Sequence, residues 1–243
     1  MQLGDFTVLS FDCYGTLIDW ESGIWTALQP LLGQAPGPPS REAALAAFAR
    51  HESAQQAETP DLLYSELLAR VHSRLAAEWQ TAPDATAARD FGASVGDWPP
   101  FPDTPEALQY LQRFYKLVIL SNVDRASFAR SNARLGVAFD AIYTAQDIGS
   151  YKPDARNFEY MLARLAAAGH RPDDILHVAQ SLFHDHVPAN RVGLRSAWID
   201  RRAGSGGWGA TPPPEAGVRY DFRFADLGEL VQAHHAERQA DGG

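Results

Sequence analysis

Asp12 ends the apolar run 6–11 (FTVLSF) and opens a turn holding Gly15 and Thr16, in the stretch FDCYGTLID. A carboxylate at the end of a buried strand is held rigidly, and the N–H groups of a tight turn can face an anion. Such an Asp can act as a nucleophile, because an ester intermediate divides one difficult step into two easier ones. From position alone it can equally cap the next helix. Further polar clusters stand at Ser121-Asn122 after the run KLVIL, at Tyr151-Lys152-Pro153, and from Gln180-Ser181 to Asp185 after DILHVA. His184 and His186 flank Asp185. A His beside a carboxylate can serve as a general base. As metal ligands they fit poorly, since helical geometry spreads 184 and 186 to different faces. Cys13 has no evident partner His and reads as a small half-buried residue.

These clusters need elements to bring them together. The runs 6–11, 116–120, 174–179 and 194–199 are short, apolar and bounded by polar residues, as expected of buried parallel strands. Between them, 104–114 predicts a helix with Thr104 as N-cap and Pro105 in its first turn, and 126–135 and 157–168 have helical spacing. The fold expected is α/β, a doubly wound and mostly parallel sheet, whose ligands bind beyond the carboxyl ends of the strands. Residues 18–96 interrupt that alternation with Ala-, Leu-, Glu- and Gln-rich helical sequence. They predict a helical cap inserted after the first strand, the core being 1–17 and 97–243. The Gly/Pro stretch 202–217 lacks the Lys-Ser or Lys-Thr of a phosphate-binding loop and predicts a flexible surface loop. A last strand and helix are expected within 220–235, with ERQADGG fraying.

The chain has 243 residues, 45% hydrophobic and 21% charged, with a formal net charge of −9. That balance suits a soluble globule and opposes nonspecific binding to nucleic acid or anionic membranes, which needs clustered cations. No apolar run approaches the ~18 residues of a membrane span. A single cysteine excludes an internal disulfide and fits a reducing compartment. The first basic residue is Arg41, so no signal-peptide pattern opens the sequence, and a cytoplasmic location is expected.

FDCYGTLID, the LSN at 120–122, Tyr151-Lys152-Pro153 and Asp185 resemble, in order and spacing, the four motifs of the haloacid dehalogenase superfamily. Most members of that superfamily are magnesium phosphatases with a second Asp two residues after the nucleophile. Here that position is Tyr14, and Gln180 stands where another carboxylate belongs. Tyr14 is similar to the first motif of the 2-haloacid dehalogenase branch (type II, L-specific), which needs no metal or other cofactor. This resemblance implies Asp12 as nucleophile supported by Thr16, with Lys152 pairing with Asp12 and Asp185 helping to activate water. The N–H groups of Cys13 and Tyr14, with Ser121, would hold the carboxylate of a small substrate. Asn122 would lie near the departing halide, and Arg50 in the cap, or else Arg41, would bind it. Dimerisation is common in the family, which makes a homodimer an expectation.

Three positions depart from the branch: Phe158 replaces a Tyr, and Gln180 and Leu182 replace a Ser and an Asn. Gln180, Ser181 or His184 are then expected to take over orientation of the water or the pocket wall. The expected function is metal-independent hydrolysis of a short 2-haloalkanoic acid. The rivals are a magnesium-dependent phosphatase, a hydrolase of another small carboxylate, and a protein that binds a ligand without turnover. Trp20, Trp25 and Tyr64 could line the substrate pocket or simply pack the cap.

Overall fold

The central strands are runs of side chains with almost nothing to solvate. VLSF at Val8–Phe11 and ILHVA at Ile175–Ala179 are buried throughout. In the computed structural model, which describes residues 1–205, 207–214 and 216–241, a short 3-10 turn at Leu3–Asp5 precedes the first strand, β1 (Val8–Phe11). Four helices follow: α1 (Trp20–Leu32), α2 (Arg41–Glu58), α3 (Tyr64–Glu78) and α4 (Ala85–Ala93). Next come α5 (Thr104–Leu111), β2 (Lys116–Ser121), α6 (Arg125–Leu135), β3 (Ala141–Thr144), α7 (Ala145–Ile148) and α8 (Ala155–Ala167). The chain continues through β4 (Ile175–Ala179), α9 (Val187–Arg191), β5 (Arg195–Ile199), β6 (Phe222–Phe224) and α10 (Leu227–Asp241).

All neighbouring strands pair in parallel, in the order β3-β2-β1-β4-β5-β6. Alternate residues face opposite layers. Leu9, Phe11, Leu117, Ile119, Leu176 and Val178 join the larger apolar cluster, while Val8, Val118, Leu120 and Ile175 pack with Phe158, Met161 and Leu165 of α8. A sheet covered on both faces explains why its strands read as continuous apolar runs. Chain order runs outward from β1 in one direction to β3 and in the other to β6, so β1 and β4 border the switch point where ligands bind in such sheets.

The helices α1–α4 leave and re-enter the sheet layer through a pinch of two segments. Ile18 bridges Pro100, Asp19 N–H donates to Pro99 O (2.8 Å), and Phe101 N–H donates to Leu17 O (3.0 Å). The helical layer is also pinned directly to the sheet layer. Ser65 N–H donates to Asp124 Oδ2 (3.1 Å), the Tyr151 hydroxyl donates to Leu62 O, and Trp98 meets Tyr14 edge to face.

Several sequence expectations need correction. β3 has no apolar signature because it is a short edge strand with Ile142 exposed. Thr104 is the first residue of α5 rather than its cap. Asp103 precedes it, and its carboxylate serves Arg201 and the N–H of Leu227 instead. The N-cap of α6 is Asp124, accepting from Ser127 N–H (2.9 Å). The expected fraying also fails, since α10 continues to Asp241; residues 242–243, like 206 and 215 of the Gly/Pro stretch, lie outside the described residues. Among the described residues no helix is long and apolar enough to cross a membrane.

Gly92 lets α4 lie directly on α3, since a Cβ there would come 2.1 Å from the Ser65 carbonyl oxygen. Gly92→Ala is therefore expected to lower unfolding stability by about 1–3 kcal/mol, read from urea denaturation; an unchanged midpoint would contradict this packing.

Candidate active site

The chain leaves β1 at Asp12, whose N–H donates to Val178 O on β4 (3.1 Å). It then turns so tightly that the N–H groups of Thr16, Leu17 and Ile18 all reach the Cys13 carbonyl. Gly15 adopts φ +95°, and a Cβ there would meet the Trp20 indole nitrogen at 3.0 Å, so both backbone and space require glycine. The turn returns Thr16 to its strand end: its Oγ1 donates to Asp12 Oδ2 (2.7 Å) and accepts from Gln180 N–H (2.9 Å).

Lys152 enters from the loop before α8 and is buried to 1% exposure. Its ammonium donates to Asp12 Oδ1 (2.9 Å), Asp185 Oδ1 (2.7 Å) and Leu120 O (2.9 Å), which uses all three of its donors. Asn122 at the end of β2 clamps this loop, donating through Nδ2 to Lys152 O (3.0 Å) and accepting at Oδ1 from Lys152 N–H (2.7 Å). Asp185 Oδ1 also accepts from His177 Nε2 (3.0 Å), whose other ring nitrogen lies 2.9 Å from Ser10 Oγ.

Burial works against every charge in this cluster. On Asp12 it is the largest influence and pushes the carboxyl up, opposed by the Lys152 ammonium and the Thr16 hydroxyl. On Asp185 burial is outweighed by Lys152 and His177, which hold the carboxyl well below the usual carboxylate range. Burial also favours a neutral Lys152, but the two carboxylates more than offset it and keep the ammonium charged.

Above this cluster lies a narrow, partly open pocket of about 30 Å³, room for two or so water molecules. Its sheet-layer wall holds Asp12, Tyr14, Ser121, Lys152, His184 and Asp185; its helical-layer wall holds Trp20, Glu52 and Tyr64. Four buried polar atoms on these walls lack any hydrogen-bond partner: Ser121 Oγ, His184 Nε2, Asp185 Oδ2 and Glu52 Oε2. Buried polar atoms are rarely left unpaired, so four in one enclosure mark a place for a small polar ligand. The wide turn at Leu182–His186 sets His184. Ser181 Oγ accepts from His184 N–H (2.9 Å) and lies 3.1 Å from Nδ1. Burial drops the His184 pKa to about 4, so the ring is neutral near pH 7, with Nδ1 beside Ser181 and Nε2 unpartnered.

The residues singled out in the sequence divide accordingly. Asp12, Tyr14, Ser121, Asn122, Lys152, Ser181, His184 and Asp185 line one void, with Thr16 bonded to Asp12. Cys13 is buried in the turn beneath it, its thiol pushed well up by burial and by Asp12. Gln180 points away, into a neighbouring cavity of about 290 Å³ that Trp20 separates from the first. Arg50 does not reach the site. Its guanidinium pairs with Glu78 (2.7 Å) and is 59% exposed. Arg41 lies in the wall of the neighbouring cavity, bonded to Ser22 Oγ (3.2 Å). Phe158 packs edge to face on His177 below the sheet ends, and His186 is tied to Ser196 and Ala179 O. Trp20 and Tyr64 line the void, while Trp25 only packs against the core. The sequence reading missed Glu52, although the spacing Leu45-Phe48-Glu52-Gln55/Gln56 puts it on the buried stripe of α2.

A family profile for haloacid dehalogenase-like hydrolases matches residues 6–179. The chain belongs to that family. An (S)-2-haloacid dehalogenase, H-109, of Pseudomonas putida is 33% identical over 153 residues, covering 61% of this chain and 63% of that protein. The match thus spans less than two thirds of that relative's length. The fold is that of a defluorinating L-2-haloacid dehalogenase (TM-score 0.77, 19% identity, 96% of this chain and 98% of that one). It is equally that of an L-2-haloacid dehalogenase from Xanthobacter autotrophicus solved with chloropropionic acid covalently bound (TM-score 0.73, 20% identity, 93% and 97%).

His184 and His186 are both brought down to about 4 by burial. Between about 4 and the ordinary 6.5 the unfolded chain binds protons that the native state does not. Stability contributed by each ring, roughly 3 kcal/mol, is therefore present above 6.5 and lost as pH falls through that window. Glu52, raised by burial to about 7, pulls the opposite way. Urea unfolding between pH 4.5 and 7 should show a shallower rise for His186→Gln than for the unaltered protein; equal slopes would contradict the burial of a neutral ring.

Proposed function

We propose that this protein hydrolyses the carbon–halogen bond of short 2-haloalkanoic acids through an ester on Asp12, without a metal ion. The reading rests on one arrangement above all: a carboxylate fixed through both oxygens, by Thr16 and Lys152, at the floor of a narrow pocket with unpartnered polar walls. In the first step an Asp12 oxygen bonds to C2 as the halide departs with the electron pair of the broken bond. The Ser121 hydroxyl and the N–H groups of Cys13 and Tyr14 hold the substrate carboxylate in line for attack. Lys152 favours the ionised form of Asp12 against burial, and Asn122 keeps Lys152 in place.

In the second step water attacks the ester carbonyl, the 2-hydroxy acid leaves with one of its protons, and Asp12 returns as carboxylate, releasing the other. Asp185, which Lys152 and His177 hold below the usual carboxylate range, helps to activate that water. It orients the water through Oδ2, the oxygen its neighbours leave unused. The helical wall of Trp20, Glu52 and Tyr64 over the pocket restricts bulk water during the first step. Its small size favours acids of two or three carbons.

Halide release from 2-chloro and 2-bromo acids in EDTA, using purified protein, tests this reading. Activity should be present in the unaltered protein and fall by about 10⁴-fold or more in Asp12→Asn, the scale of losing a covalent nucleophile. Near-normal release by that variant would contradict the mechanism, and release of phosphate from phosphate esters only with magnesium would favour a phosphatase.

A further inference from the structure

A departing halide needs a donor, and the expected guanidinium is elsewhere. Arg50 pairs with Glu78, Arg41 lines another cavity, and all three N–H donors of Lys152 are spent on Asp12, Asp185 and Leu120 O. What faces the void instead is a carboxyl group from α2. Glu52 is 2% exposed; its Oε1 accepts from the Tyr64 hydroxyl (2.8 Å) and from Gln56 Nε2 (3.1 Å), and its Oε2 has no partner. With two donors on Oε1, the proton of the neutral acid belongs on Oε2, where nothing in the protein accepts it.

The titratable groups around the same void are Asp12, Tyr14, Tyr64, Lys152, His184 and Asp185. Burial lifts the Glu52 carboxyl to about 7, with the Tyr64 hydroxyl opposing. An anionic substrate entering this enclosure adds a negative charge, which favours the protonated form further. The neutral His184 ring adds a second unpartnered polar atom, Nε2.

We propose that Glu52, as a neutral acid, donates its Oε2 hydrogen to the leaving halide, and that this donor fits the protein to 2-fluoro acids of two or three carbons. The inference rests on Asp12 being the nucleophile, as read above. Fluoride is the smallest halide, the poorest leaving group and the strongest hydrogen-bond acceptor among them. A carboxylic O–H aimed at the atom where charge develops strengthens as the carbon–halogen bond breaks. In the balanced step the Asp12 oxygen–C2 bond forms, the C2–F bond breaks, its electron pair stays on fluoride, and fluoride departs from a hydrogen bond to Glu52. Glu52 keeps its proton over the cycle. Bromide, larger and a better leaving group, depends less on such a donor.

The test measures kcat and KM for fluoride and bromide release from fluoroacetate and bromoacetate, in EDTA, by the unaltered protein and by Glu52→Gln. Gln keeps the size and the Oε1 acceptor but replaces the carboxylic O–H by a weaker amide donor. The unaltered protein should release fluoride. The variant should lose about 10- to 100-fold more kcat on fluoroacetate than on bromoacetate. A structural role alone would lower both alike, and that result overturns the inference. Should Glu52→Gln fail to fold, Tyr64→Phe, which frees Oε1 to compete for the proton, must lower the fluoride-to-bromide ratio; an unchanged ratio overturns it too. Bromide release without fluoride release by the unaltered protein sinks this inference alone. Release of neither halide sinks the Asp12 reading with it.

Discussion

An ammonium group buried between two carboxylates governs this structure. Lys152 joins Asp12 at the end of β1 to Asp185 beyond β4, a cluster with one unbalanced negative charge and almost no access to water. Removing charges from water costs several kcal/mol per ion unless geometry and further hydrogen bonds offset it. The surroundings supply that offset: Leu120 O takes the third ammonium donor, Thr16 and His177 serve the carboxylates, and Asn122 holds the lysine backbone from both sides. Asp12, Leu120 and Asn122 sit at strand ends, His177 projects from within β4, and Lys152 and Asp185 reach in from the loop and turn beyond β3 and β4. The parallel sheet is thus the device that brings five separate parts of the sequence to one point.

The helices between β1 and β2 complete the enclosure. They join the sheet layer through the pinch at Ile18 and Pro100 and are held down by Ser65, Leu62 and Trp98. Their contribution to the site is chemically distinct. The sheet layer offers the lysine–carboxylate cluster, whereas the helical layer offers an indole, a phenol and a carboxyl that burial raises to about 7. Two carboxyl environments thus share one pocket, one beside a buried lysine and one among uncharged donors, the kind of contrast that sets carboxyl groups to different roles.

Most of the sheet was legible because parallel strands buried on both faces must be short apolar runs, and Asp12, Ser121 and Gln180-Ser181 follow three of them directly. β3 was not, because an edge strand with a solvent-facing side carries no such run. The core of the site was legible from motif order, which fixes which strand ends meet. The helical wall was harder. Glu52 looks like a surface residue by type, since an acid is rarely buried without a partner, and α2 has few large side chains to mark its inner stripe. Arg50, two residues earlier, is about 200° away around that helix and so faces outward when Glu52 faces in. Spacing alone around Leu45 and Phe48 would have separated them. Gln180 illustrates another limit: sequence places it at the right strand end but not on which side of Trp20 its side chain falls.

The most direct measurement of whether the Asp12 carboxylate itself bonds to the substrate follows oxygen. Turnover of a 2-halo acid in ¹⁸O-labelled water, followed by mass spectrometry of the peptide containing Asp12, should show ¹⁸O entering that side chain, with the first equivalent of product carrying unlabelled oxygen. Label found in the first product but never in Asp12 would mean that water attacks the carbon directly, and would contradict the account.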